Sequence, residues 1–128
     1  MRLVVKALIA IAASGSTPYT IGAARRASEL GASVIAVANN PNSPLAAWAD
    51  VEIFLDSGPE VIIGSTRMGA GTAQKAALNL LSTLTHIKLG AVHDGMMVNV
   101  RADNLKLKAR ACGIVSRIAN ANEKDAAA

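Results

Sequence analysis

The sequence predicts an α/β domain of three layers, helices on both faces of a parallel sheet, on three observations. Apolar runs rich in Val and Ile recur at Leu3–Ala12, Ser33–Ala38 and Val51–Leu55, none alternating cleanly with polar residues. Such runs read as strands covered on both faces. A helix-like segment, Pro18–Leu30, lies between the first two and is closed by Gly31, and a strand–helix–strand order makes a parallel pair with a crossover helix. The composition agrees. Of the 128 residues, 52% are apolar, mostly Ala, Val, Ile and Leu, with one Trp, one Tyr and one Phe. That is enough for a core, excludes global disorder, and lacks the aromatics that base-stacking nucleic-acid modules expose.

The remaining elements follow in order. Asn39–Pro44 is a turn cluster, and an Ala-rich helix around Trp48 comes before the third strand. Ala73, Ala77, Leu80, Leu81, Leu84 and Ile87 then recur at spacings of three and four, one face of a long helix that ends near Gly90. The stretch from His93 to Val100 reads as a connector. A last amphipathic helix is expected over 102–119, with Leu105, Ala109, Cys112 and Val115 on one face. Residues 1–120 read as one partial domain, and 121–128 as a disordered tail. The chain begins inside its first strand, so either a sheet edge is open or another chain covers it.

Charge and targeting signals narrow the classes of function. The net charge is +4, with basic residues gathered at Arg101, Lys106, Lys108, Arg110 and Arg117. This suits an anionic small molecule, and no nucleic-acid partner is expected. No apolar run reaches the roughly 18 residues of a membrane span. Met1-Arg2 and the run after them superficially resemble a signal peptide, but Lys6 interrupts the run, which leads directly into a loop with a role. The lone Cys112 cannot make an intrachain disulfide, so a reducing cytoplasm is expected. His86 and His93 stand isolated and read as surface residues, so no metal is expected, and with no G-x-x-x-x-G-K-[ST] and no G-x-G-x-x-G motif no cofactor is expected either.

Two loops carry the chemistry. Ser14-Gly15-Ser16-Thr17-Pro18 lies between a strand and a helix, with Thr17 as a good N-cap and Pro18 in the first turn. First-turn amides and three hydroxyls there make an anion site, placed where open α/β sheets bind ligands. The plainer alternative is an ordinary capped turn. The second loop, Gly58–Lys75, sets Glu60 before an apolar run and has Ser65, Thr66 and Arg67 opening the long helix. Glu60 is then a base or a sugar-hydroxyl ligand, with Ser65, Thr66 and Arg67 donating to an anion. Ser57-Gly58-Pro59-Glu60 equally fits a capping box in which Glu60 bonds only backbone.

With those loops in view, the chain resembles the sugar isomerase (SIS) domains and, more narrowly, the N-acetylmuramic acid 6-phosphate etherase family. The segments that carry the resemblance are IAASGSTPYTIGAARRASELGASVIAVANNPNSPLA, GPEVIIGSTRMGAGTAQKAALNLLST and MMVNVRADNLKLKARA. The resemblance implies a flavodoxin-like strand order and a sugar phosphate held by Ser14 and Thr17, with backbone from Ala13 and Gly15. In the related isomerase domain of glucosamine-6-phosphate synthase a loop of the form E-x-x-x-x-[ST]-[TS]-K carries a catalytic glutamate, and Glu60–Arg67 resembles that form, which implies a catalytic carboxylate at Glu60. Where this chain has Ser16 and Gly69 the etherases usually show Arg and Lys, which weakens contacts inferred for those two positions. A complete SIS domain has a five-stranded sheet, so the first half of the domain is expected to be missing. The family's acid and base carboxylates generally lie in that half.

The family chemistry removes the C2 proton, α to the opened-ring aldehyde, and eliminates the C3 lactyl ether. Water then adds to give N-acetylglucosamine 6-phosphate and lactate, a step in amino-sugar metabolism and peptidoglycan recycling. Of the nine carboxylates in the chain, Glu60 alone is suitably placed. The expected partners are a sugar phosphate and either a homodimer mate or a chain that supplies the missing half. A phosphosugar-binding module without turnover is the alternative.

Overall fold

The computed structural model describes residues 6–126. They fall into two units, divided between Asn79 and Leu80. The first unit holds a parallel sheet ordered β1 (Ala7–Ile11), β2 (Ser33–Ala38), β3 (Val51–Phe54). Ala7 pairs with Ser33 and Ile11 with Val37 on one side of β2, while Ile35 pairs with Val51 and Ala38 with Phe54 on the other. The expected parallel α/β class is present, and the second and third expected strands appear almost residue for residue. Of the first, residues 3–5 lie outside the described part.

Helix α1 (Pro18–Glu29) crosses from β1 to β2 and packs on both. Its end has a simple cause. Gly31 takes φ +76, a left-handed conformation that glycine adopts without a β-carbon penalty. This aims the Gly31 amide at the Ser28 carbonyl and the Ala32 amide at the Ala27 carbonyl. The core between helix and sheet is built from small residues: Ala10, Ala12, Ala24, Val34, Ala36 and Leu45. Alanines there bring the helix backbone close to the sheet, and the buried area per residue is correspondingly modest.

Burial is uneven across the sheet. β2 is buried along most of its length, from Val34 to Ala38. Val51 and Phe54 of β3 remain about half exposed, as does Ile9 of β1. The expectation that every strand is covered on both faces therefore holds for the central strand alone. Among the described residues β1 and β3 each have one strand neighbour, and their apolar side chains stay partly in water. A single 3-10 turn, Ala46–Trp48, replaces the expected short helix. It returns the chain to Asp50, whose carboxylate accepts the Val34 amide at 2.7 Å.

Helix α2 (Gly69–Lys88) begins later than the sequence reading has it, and its first turns belong to this unit. Ser65, Thr66 and Arg67, expected to open the helix, instead form turns ahead of it.

The second unit takes up the rest of α2 and three further pieces. The expected connector is a hairpin, β4 (Val92–His93) against β5 (Met96–Met97). Asp94 and Gly95 join the strands with φ of 47 and 73, the paired left-handed residues that suit a two-residue hairpin turn. Helix α3 (Leu105–Ala119) starts three residues later than expected, because the Asn104 side chain accepts the Leu107 amide and caps it. Its more buried side carries Leu107, Ala111 and Ile114. The face expected to be apolar is largely solvated, with Leu105 and Val115 exposed and Cys112 half-buried. The tail, expected to be disordered, contains one helical turn, α4 (Glu123–Ala126).

Candidate functional site

The two loops singled out in the sequence meet at the carboxyl ends of β1 and β2. Beyond β1 the chain turns at Gly15, which is buried with φ +65. Its amide bonds the Ala12 carbonyl, and its own carbonyl accepts the Leu45 amide. Ser14, Ser16 and Thr17 flank it in solvent-exposed positions. Ser14 Oγ accepts both the amide of Ser16, at 3.2 Å, and its hydroxyl, at 2.9 Å. Thr17 occupies the N-cap position ahead of Pro18, as expected, but its side chain makes no capping bond. The first turn of α1 thus opens on the loop without a bond from its N-cap side chain. That turn carries partial positive charge toward an anion.

A cleft of about 320 Å³ runs from this loop to the start of α2. Ala13 and Ser14 form one end, Asn39 and Asn40 the floor, and Ser57–Glu60, Ile63, Gly64, Thr66 and Ala70 the far wall. Its size suits a small ligand. Asn39 organises the floor. Its amide nitrogen donates to the Leu55 carbonyl at 3.0 Å and to Ser57 Oγ at 3.3 Å, and its oxygen accepts from Gln74 Nε2 at 2.8 Å. One side chain thereby ties the end of β2, the segment after β3 and the second turn of α2.

Glu60 is the carboxylate on this wall. One oxygen accepts the Gly69 amide at 3.0 Å and the other the Ala70 amide at 2.9 Å. These two backbone donors, Gly69 first, hold its carboxyl below the ordinary carboxylate range. The capping box does not form as the spacing suggests: Ser57 bonds Asn39, while Glu60 reaches nine residues ahead to cap α2. A carboxylate bound in this way is a weaker base than a free one.

The other expected donors are distributed unequally. Thr66 lines the cleft. Ser65 and Arg67 lie in an adjoining hollow of about 470 Å³ with Val61, Ile62, Met68 and Glu60. The loops place Ala13, Ser14, Thr66 and Glu60 on one cleft and direct Ser65 and Arg67 elsewhere. In the sequence Asn39 and Asn40 read only as turn residues. The signal that finds them is their position beyond the carboxyl end of β2, next to the point where Ser14 leaves β1.

Residues 6–84 match the SIS domain family. N-acetylmuramic acid 6-phosphate etherase of Deinococcus radiodurans is 51% identical over 115 residues, 90% of this chain and 38% of that protein. The enzyme of the same name from Symbiobacterium thermophilum is 54% identical over 121 residues, 94% of this chain and 40% of its own length. That of Yersinia pestis is 54% identical over 108 residues, 84% of this chain and 37% of its own. The chain therefore spans about two fifths of the relatives it matches. A solved structure described as that of a hypothetical protein superposes with a TM-score of 0.50 at 20% identity, covering 70% of this chain and 52% of that one. That likeness supports the fold. With the family matched over well more than half its length and a parallel sheet presenting its loops at the expected edge, the chain belongs to the SIS domain family.

Proposed function

We propose that this chain binds an amino-sugar 6-phosphate, with the phosphate on the Ser14–Thr17 loop, as the SIS portion of an N-acetylmuramic acid 6-phosphate etherase. The observation that carries the reading is the solvent-open loop of hydroxyls and uncapped helix amides at one end of a cleft of small-molecule size. The etherase names of relatives more than half identical supply the sugar. Ala13 contributes backbone, Ser14, Ser16 and Thr17 contribute hydroxyls, and Thr66 reaches the ligand from the opposite wall. Gly15, implied by the resemblance as a further backbone donor, has its amide and carbonyl bonded to Ala12 and Leu45 and serves as the turn. Ser65 and Arg67 require a loop movement to join them.

The test compares N-acetylmuramic acid 6-phosphate with the unphosphorylated sugar. At one hundred times its dissociation constant a ligand stabilises by about 2.7 kcal/mol, a rise in Tm on the order of 10 °C for a domain of this size. The phosphorylated sugar is expected to give that rise and the plain sugar none. Ser14→Ala with Thr17→Ala should abolish it. Equal shifts for the two sugars would remove the loop assignment.

A second reading, binding without turnover, is favoured by the double engagement of Glu60 with the α2 amides. On this view purified chain releases no lactate over hours. Lactate release that disappears in Glu60→Gln would restore Glu60 as a catalytic base. The setting that fits is cytoplasmic peptidoglycan recycling. No helix among the described residues is long and apolar enough to cross a membrane. Leu80, Leu84 and Ile87 of α2 are exposed, which supports a homodimer or a chain that completes the domain.

A further inference from the structure

Ser43 is not on the cleft wall, yet it is held against the loop that forms one end of the cleft. It is 5% exposed, and its hydroxyl has no hydrogen-bond partner among the described residues. Ala38 and Leu45, which flank it in the chain, are fully buried. A β-carbon at position 15 would fall on the Ser43 β-carbon and lie 2.5 Å from its hydroxyl. Gly15 is therefore pressed directly onto Ser43, and the amide of Leu45, two residues further on, fastens the Gly15 carbonyl.

A buried hydroxyl without a partner is destabilising. Alanine would fill the same space without that cost, so the hydroxyl has its use in another state of the molecule. The neighbouring group able to change state is the loop. In the free chain Ser14 Oγ is occupied by the amide and hydroxyl of Ser16. An oxyanion that recruits Ser14 and Ser16 must exchange those bonds, and the backbone they release turns about Gly15. Building on the sugar-phosphate reading above, we propose that Ser43 is a positioning residue of the anion loop. Its hydroxyl gains a loop partner when the loop closes on phosphate.

The proposal gives two measurements of opposite sign. Ser43→Ala removes an unsatisfied hydroxyl from the free chain, so the ligand-free Tm should hold or rise. The same change removes a bond made only in the bound state, so affinity for N-acetylglucosamine 6-phosphate and for inorganic phosphate should fall about fivefold to tenfold. A merely structural serine would lower the ligand-free Tm and leave phosphate affinity alone. Calorimetric titration and thermal melting of the full chain, wild type and Ser43→Ala, read both quantities. Unchanged affinity overturns the proposal and leaves the phosphate loop standing. Weaker binding together with a lower ligand-free Tm overturns it as well, because the hydroxyl then already serves the free fold. No phosphate-dependent binding by the wild-type chain instead defeats the sugar-phosphate reading itself, and the role of Ser43 with it.

Discussion

At Gly15 two independent restrictions act on one residue. A φ of +65 costs a residue with a β-carbon about 1–2 kcal/mol. The space such a carbon needs is already taken by Ser43. Gly15→Ala should therefore destabilise the chain by more than the backbone term alone and abolish phosphate-dependent stabilisation. The two causes are separable with a double-mutant cycle. Adding Ser43→Gly clears the clash and leaves the backbone strain, so the double variant should recover part of the lost stability by thermal melting. No recovery would mean that φ alone dictates glycine here. The glycine and its flanking hydroxyls were legible in the sequence, because a strand, a Gly-containing turn and a Thr-Pro helix start are local signals. Ser43 was not legible. Its importance arises from packing between segments 28 residues apart, and within Asn39–Pro44 it reads as one more turn residue.

At the scale of the element, Glu60 and α2 show the same limit from the other side. The sequence showed a carboxylate before an apolar run and a long helical period after it, but not which helix the carboxylate caps. Capping of Gly69 and Ala70 depends on how the intervening turns fold. Gly69 also begins α2 two residues after Arg67, so Ser65–Arg67 are in turns even though the apolar period further on is clear. The consequence for pH follows from the sign of the shift. The N–H donors stabilise the charged carboxylate and lower its folded pKa. That contribution is complete above the ordinary carboxylate range and is lost as pH falls from there through the depressed value. Glu60→Gln should therefore lower Tm at neutral pH, and the gap from wild type should narrow as the solution is acidified below that range. Hydrogen exchange at the Gly69 and Ala70 amides should accelerate in the variant at neutral pH. A gap that stays constant with pH would mean that the carboxylate charge does not support the helix.

At the scale of the whole molecule, the fold class was legible because strand–helix–strand order and period are local, whereas the state of the sheet edge was not. The register shows what that edge offers. Ser33 donates to the Lys6 carbonyl and Ala12 donates to the Val37 carbonyl, so even-numbered positions of β1 bond to β2. By alternation, Ala7, Ile9 and Ile11 direct their backbone groups toward the opposite edge. No strand among the described residues pairs there, and an unpaired edge favours association. If another strand, from a second copy or from a companion chain, docks on this edge, blocking Ile9 should prevent it. Ile9→Pro removes the outward N–H without removing a bond to β2, which is the position where a strand tolerates proline. Ile9→Ala removes the same side chain and keeps the N–H. Sedimentation of the wild-type chain alone should show a dimer or larger species. Ile9→Ala should retain that species and Ile9→Pro should shift it toward monomer with the circular dichroism of the fold preserved. A wild-type chain that sediments as a stable monomer excludes the second copy and leaves the companion chain, whose capture should then be sensitive to Ile9→Pro and indifferent to Ile9→Ala.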